Sequence, residues 1–169
     1  MDQIAKQERS RKRIEIILET AEKILLEDGI DQITIANISN RSGLKRTSTY
    51  KFFQTPEAIK SMLISNYLNM CALDFEEKTS NINTSEPSVV VMRSVEILFN
   101  FYSEYESAQK LLLSSSVILP AEKEPFHILS SKIQSFVEMN ISLPDIFNKD
   151  GVFRVITQII LSIFSLNTK

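Results

Sequence analysis

Residues 34–53, TIANISNRSGLKRTSTYKFF, constrain this chain more tightly than any other stretch, because a glycine in their middle leaves room only for two short helices. Thr34 follows the polar Asp31-Gln32 and carries an oxygen able to accept from the unpaired N–H groups of a first turn, so it predicts a helix start. That helix runs from about Ile35 to Arg41. Ile35 and Ile38 give it an apolar stripe, and Ala36 and Ser39 are small enough to let a second helix approach closely. Gly43 ends it by tolerating the positive φ of a helix C-terminus. Leu44 then supplies an apolar plug, and Lys45, Arg46, Thr47, Ser48, Thr49, Tyr50 and Lys51 form the second helix.

The flanks extend the pattern. Ile14, Ile17, Leu18, Ala21 and Leu25 recur on one helical face and predict a helix from about Ser10 to Asp28, stopped at Gly29. Phe52 and Phe53 close the pair, and Thr55-Pro56-Glu57 opens another helix with a capping hydroxyl, a proline at N1 and an acid in the first turn. Two short helices so arranged have the layout of a DNA-reading helix-turn-helix. Their chemistry suits that use: Lys and Arg neutralise phosphates and release counterions, Arg bonds guanine bidentately, and Ser or Thr reaches a phosphate or a base edge. Tyr50 offers a flat apolar body to the domain and a hydroxyl to a phosphate. A charge cluster on a short helix is equally the make-up of a solvated face, so the flanking order carries the distinction.

That order resembles the N-terminal domain of the TetR family of transcriptional regulators: a helix ending in Gly, then T-x-x-x-I-A-x-x-A-G-V, then a recognition helix ending Y-x-x-F. The matching residues are Gly29, Thr34, Ile38, Ser39, Gly43, Leu44, Tyr50 and Phe53, within a resemblance that covers about Ser10 to Leu63. Ser39 replaces the usual Ala, Phe52 stands where His or Tyr is common, and Pro56 replaces a Lys that in relatives meets the phosphate backbone. Carried over residue by residue, the resemblance implies that Thr34, Arg46, Thr47, Ser48, Tyr50 and Lys51 face DNA, with Lys45 nearby and base reading concentrated in Arg46, Thr47 and Ser48. Thr34 can cap its helix and bind phosphate together, since both use the same helix end.

The formal net charge of −2 looks wrong for a DNA binder until it is divided along the chain. Residues 1–60 hold 11 Lys/Arg against 9 Asp/Glu, or +2, and residues 61–169 hold 8 against 12, or −4. Lys6, Arg9, Arg11, Lys12 and Arg13 form a basic arm entering the first helix, either reaching DNA or lying as a solvated tail. The acidic remainder limits non-specific binding. No apolar h-region follows the charged start, and no charge-free apolar run reaches the roughly 20 residues needed to span a bilayer, so no membrane partner is expected and the expected compartment is the cytoplasm. The single cysteine, Cys71, sits among Met70, Ala72 and Leu73 and reads as a packing residue.

From residue 57 onward the chain reads as helix throughout: Glu57 to about Lys78, Pro87 to Tyr105, Ser107 to Leu119, Glu122 to Asn140 and Phe153 to Asn167. Glu77 to Glu86 lacks apolar periodicity and reads as the clearest loop, and Val91, Val95, Leu98 and Tyr102 repeat at three and four along the helix that follows. The expected fold class is therefore all-α, with a three-helix DNA-binding domain over residues 1–55 and a helical bundle over 56–169. In the resemblance, the bundle binds a small-molecule effector and forms a homodimer, and ligand entry changes the distance between two recognition helices. Tyr67, Met70, Phe75, Met92, Phe99, Tyr102, Tyr105 and His127 are candidates for the effector pocket, because aromatics and methionines suit an adaptable apolar site; the same residue types more often build cores. His127 lies between Phe126 and Ile128, a setting that fits packing as well as pH sensing.

The last helix is apolar on nearly every side from Val155 to Phe164, which fits either wrapping within the bundle or a C2 dimer that sets two recognition helices on successive major grooves. Relatives commonly build that interface from two C-terminal helices, and this chain ends soon after the first. Enzyme chemistry finds little purchase. One His and one Cys make no conventional zinc site, no Gly-rich loop cradles a phosphate, and all three glycines fall at expected turns. Glu76 and Glu77 are adjacent and so point to different helix faces, a poor acid/base pair. No cofactor is expected. The function implied is a DNA-binding regulator acting as a ligand-relieved repressor on a near-palindromic operator. The rival is a TetR-like scaffold that has lost operator reading and works through protein contacts, which Pro56, Phe52 and the acidic overall charge favour slightly.

Overall fold

The computed structural model describes residues 2–113, 124–145 and 147–166. Among the described residues the regular structure is entirely helical: α1 (Asp2–Asp28), a 3₁₀ turn (Ile30–Gln32), α2 (Ile35–Ser42), α3 (Arg46–Phe52), α4 (Pro56–Thr79), α5 (Pro87–Glu104), α6 (Glu106–Leu113), α7 (Glu124–Asn140) and α8 (Lys149–Leu166). The parts of the expected helices at 114–119, at Glu122 and at Asn167 lie outside the described residues. The chain divides into two compact units, Met1–Leu63 and Ile64–Lys169. The division falls inside α4 rather than at 55/56, because the first turns of that helix bury Ile59 and Leu63 with the N-terminal unit.

In the first unit, Ile17, Ala21, Ile24 and Leu25 of α1 are buried with Ile33, Ile35, Ile38, Phe53, Ile59 and Leu63. Each large aliphatic side chain so buried contributes about 1.5–3 kcal/mol. The first helix starts well before Ser10, so Lys6, Arg9, Arg11, Lys12 and Arg13 are helical and exposed rather than a tail. The cause lies in composition: residues 2–13 contain no Gly or Pro and several strong helix formers. Arg41, near the end of α2, pairs with both Glu27 and Asp28 at the end of α1. All three side chains are substantially exposed, so these pairs orient α2 more than they stabilise it.

The second unit buries Leu68, Cys71, Ala72 and Phe75 from α4 with Leu98, Phe101 and Tyr102 from α5, Phe126, Leu129, Ile133 and Phe136 from α7, and Phe153 and Leu161 from α8. Phe75 meets Phe136 edge-on at 5.9 Å, and Lys132 pairs with Glu76 beside that contact. Helix α4 continues to Thr79, whose hydroxyl donates to the Phe75 carbonyl at 2.7 Å, so the loop is shorter than Glu77–Glu86. Asn140, at the end of α7, accepts from the Thr84 N–H at 2.9 Å and ties that loop down.

Helix α5 keeps Leu98 and Tyr102 of its expected face and loses Val91 and Val95 to the surface. Val90, Ser94, Ile97, Leu98, Phe101 and Tyr102 face inward, and Val91 and Val95 are exposed. The run VVVM, followed by ILFNFY, places apolar residues on both sides of the helix, so periodicity alone leaves the choice open. Helix α8 begins at Lys149 and contains Gly151, which is therefore in a first turn and not in a loop. Asn148 Oδ1 accepts from the Gly151 N–H at 3.2 Å, and its amide curls so closely that a Cβ on Gly151 would stand 2.4 Å from it.

Candidate nucleic-acid interface

The site is built from the start of α2 and the whole of α3. Thr34 is extended, and its hydroxyl accepts from the Asn37 N–H at 3.1 Å, the capping bond the sequence predicts. Gly43 has φ 71° and turns the chain sharply into α3, as expected of a left-handed C-cap. With only 7 residues, α3 has about two turns and depends on its anchors for stability. Thr49 is fully buried and its Oγ1 lies 3.3 Å from Ser39 Oγ on α2. Phe53 is buried just beyond the helix, where its N–H donates to the Thr49 carbonyl at 2.9 Å.

These two anchors fix which face of α3 looks out. Arg46, Thr47, Tyr50 and Lys51 are exposed and, at separations of three and four, share one face; Lys45 is exposed at the N-cap, and Ser48 and Thr34 are half-buried. Tyr50 is 52% exposed, so about half of the residue is open to solvent. Among the described residues neither Lys45, Arg46 nor Lys51 pairs with a carboxylate, whereas Arg41 is held by two. The cations of this face are thus free to neutralise something else. On α1, Lys6, Arg9 and Arg13 form a further exposed stripe on one side. The Ser39–Thr49 pair escaped the sequence reading, although two hydroxyls facing each other across a small-residue crossing were the available signal.

The aromatic and methionine candidates in the second unit separate into three groups. Tyr67, Tyr102 and Tyr105 cluster: Tyr67 and Tyr105 rings lie 6.0 Å apart, and Tyr105 lies 4.7 Å from Phe101. Phe75 belongs to the core against Phe136. Met70, Met92 and Phe99 are exposed, Met92 by 69%, with Phe99 edge-on to Phe164 at 5.8 Å. His127 is half-buried beside Arg154, with Nε2 3.4 Å from Nη1. Tyr67 and Tyr102 line a narrow cavity with Ile64, Leu68, Ala108, Leu111 and Leu112 that has room for about one water. Burial pushes the Cys71 thiol and the Tyr102 hydroxyl well above their usual pKa range. Among the described residues no group of His, Cys, Asp or Glu is placed to hold a metal ion, and no helix is long and apolar enough to cross a membrane.

No protein-family model matches the chain, and no curated protein matches it significantly. Among solved structures, a gamma-butyrolactone receptor (ArpA like protein) is similar over 94% of this chain and 81% of that one, with a TM-score of 0.52 and 13% identity. At that identity the likeness is one of fold: an all-α chain with a helix-turn-helix followed by a helical bundle.

Proposed function

We propose that this protein is a DNA-binding transcriptional regulator of the TetR type, acting as a homodimer on a near-palindromic operator and released by a small ligand held in the second unit. The observation that carries the reading is the outward face of α3, where Lys45, Arg46, Thr47, Tyr50 and Lys51 stand exposed and their cations have no carboxylate partner among the described residues. Arg46, Thr47 and the half-buried Ser48 read bases; Thr34, Lys45, Tyr50 and Lys51 hold phosphates. Support for the dimer comes from α8, where Val152, Val155, Ile156, Ile159 and Ile163 form an exposed apolar stripe of the kind that a second copy covers. Support for a ligand comes from a fold neighbour that is by name a receptor for a small lactone. Repression relieved by ligand, rather than activation, follows from the resemblance alone.

Selection of bound duplexes from random DNA by purified protein at near-physiological salt tests the reading. Two inverted half-sites are expected among the recovered sequences. Recovery of no motif by folded, dimeric protein would overturn it in favour of a scaffold acting through protein contacts.

A further inference from the structure

Phe147 stands in the turn before α8 with 98% of its surface exposed, more than any other large apolar residue described. Its backbone is held in place. Asn148, next to it, has φ 55°, and its side-chain oxygen and carbonyl accept from the N–H groups of Gly151 and Val152 at 3.2 and 3.1 Å. That cap fixes the direction in which the chain enters α8, so the ring is presented outward and little ordering remains to be done on binding. Beside it an open groove of about 590 Å³ runs along the start of α8, floored by Val152, Val155 and Ile156 and edged by Arg154 and Gln158. The ring borders this groove without filling it, since a ring lying inside would be covered. The same floor continues into the exposed Ile159 and Ile163. Knob and groove also carry opposite charges. Asp145 and Asp150 flank Phe147 in sequence, both exposed, and among the described residues neither pairs with a cation. Arg154 has no carboxylate partner among the described residues: its Nε donates to the Asp150 carbonyl at 3.3 Å and one Nη lies 3.4 Å from His127 Nε2, which leaves donors to spare.

We propose that a second copy of this chain fills the groove, each Phe147 seating in the partner's groove while Asp145 beside it meets the partner's Arg154. A patch that bears both an apolar knob and an apolar groove, with a carboxylate by the one and a guanidinium by the other, is complementary to itself. Two-fold symmetry then makes the same contact twice. A foreign partner would have to supply both halves, whereas a second copy carries them already. The proposal rests on the homodimer reading and names the contact that gives it specificity: the apolar stripe of α8 would stick to many surfaces, and the turn at residues 145–147 selects one.

Sedimentation of the full chain over a range of concentrations is the test. Phe147→Ser removes a side chain that its own chain barely touches, so helicity is expected to hold while the dimer dissociation constant rises at least about 100-fold. Asp145→Arg and Arg154→Asp are each expected to weaken the dimer about tenfold. Chains carrying both changes are expected to return to within about threefold of the natural affinity, because opposite charges again face each other with their places exchanged. General stickiness gives no such recovery. If Arg154→Asp does not fold, mixed chains decide: those with Phe147→Cys and those with Val155→Cys are expected to join by a disulfide in a glutathione redox buffer, with the fully buried Cys71 out of reach. A dimer undiminished by Phe147→Ser, a charge exchange without recovery, or mixed chains that do not join would overturn the proposal. Loss of the dimer in Ile159→Asp but not in Phe147→Ser would keep the homodimer and sink this contact alone, whereas a natural chain that is monomeric at every concentration would sink the homodimer itself.

Discussion

A hydroxyl buried without a partner costs about 1–3 kcal/mol, so Thr49 and Ser39 are best understood as a pair. Thr49→Val keeps the shape and strands the Ser39 hydroxyl; urea denaturation is expected to show a loss of about 1–2 kcal/mol, most of it recovered when Ser39→Ala is added. On the opposite face of α3, Arg46→Ala is expected to cost roughly 1–3 kcal/mol on the selected operator and to relax preference at one base pair, whereas Lys51→Ala weakens selected and random duplexes alike. Equal losses on both kinds of DNA for both variants would refute that division. Deeper in the second unit, Cys71 and Tyr102 are neutral acids whose folded pKa values are raised above all by burial. Their contribution to stability is complete below the unfolded thiol's pKa of about 8.5 and is lost as pH rises towards the folded values, so thermal stability is expected to fall above about pH 9. Cys71→Ala should flatten the first part of that decline. The exposed face of α3 was legible in the sequence because its residue types are unusual for a short helix. The buried pair was not, since nothing in a Ser or a Thr announces which way it points.

Elements with hard punctuation were read nearly to the residue. Helix α2 has Thr34 as its cap and Gly43 as its stop, and α4 opens where Thr55 accepts from the Ala58 N–H at 3.3 Å. Helix α5 lacks such guidance on its faces: Leu98 and Tyr102 face inward as expected, but Val91 and Val95 do not, because valines stand on both sides. Helix α8 was read as apolar all round, yet Phe153, Thr157 and Leu161 are buried while the Val155–Ile159–Ile163 side is open, Ile159 by 53%. Placing a charge there is the sharpest element-scale test of the proposed homodimer: Ile159→Asp is expected to leave helicity unchanged and to convert that dimer to a monomer in sedimentation analysis. A dimer of undiminished strength would move the interface elsewhere.

At the scale of the molecule, the same chain keeps a basic N-terminal share and an acidic remainder, +2 over residues 1–60 and −4 over residues 61–169. That partition was legible from counting, and the all-α class from helical periodicity. The cavity was not, because Tyr67 and Tyr102 become neighbours only when α4 and α5 pack, and their separation in sequence carries no sign of it. The open stripe on α8 has one more consequence. If only a second copy covers it, assembly is a second-order event, and in dilute solution halving the protein lowers the paired form by up to about fourfold. Occupancy of a target would then follow abundance along a curve steeper than a simple hyperbola. The cell could silence or restore such a regulator by adjusting how many chains it makes, with no ligand involved.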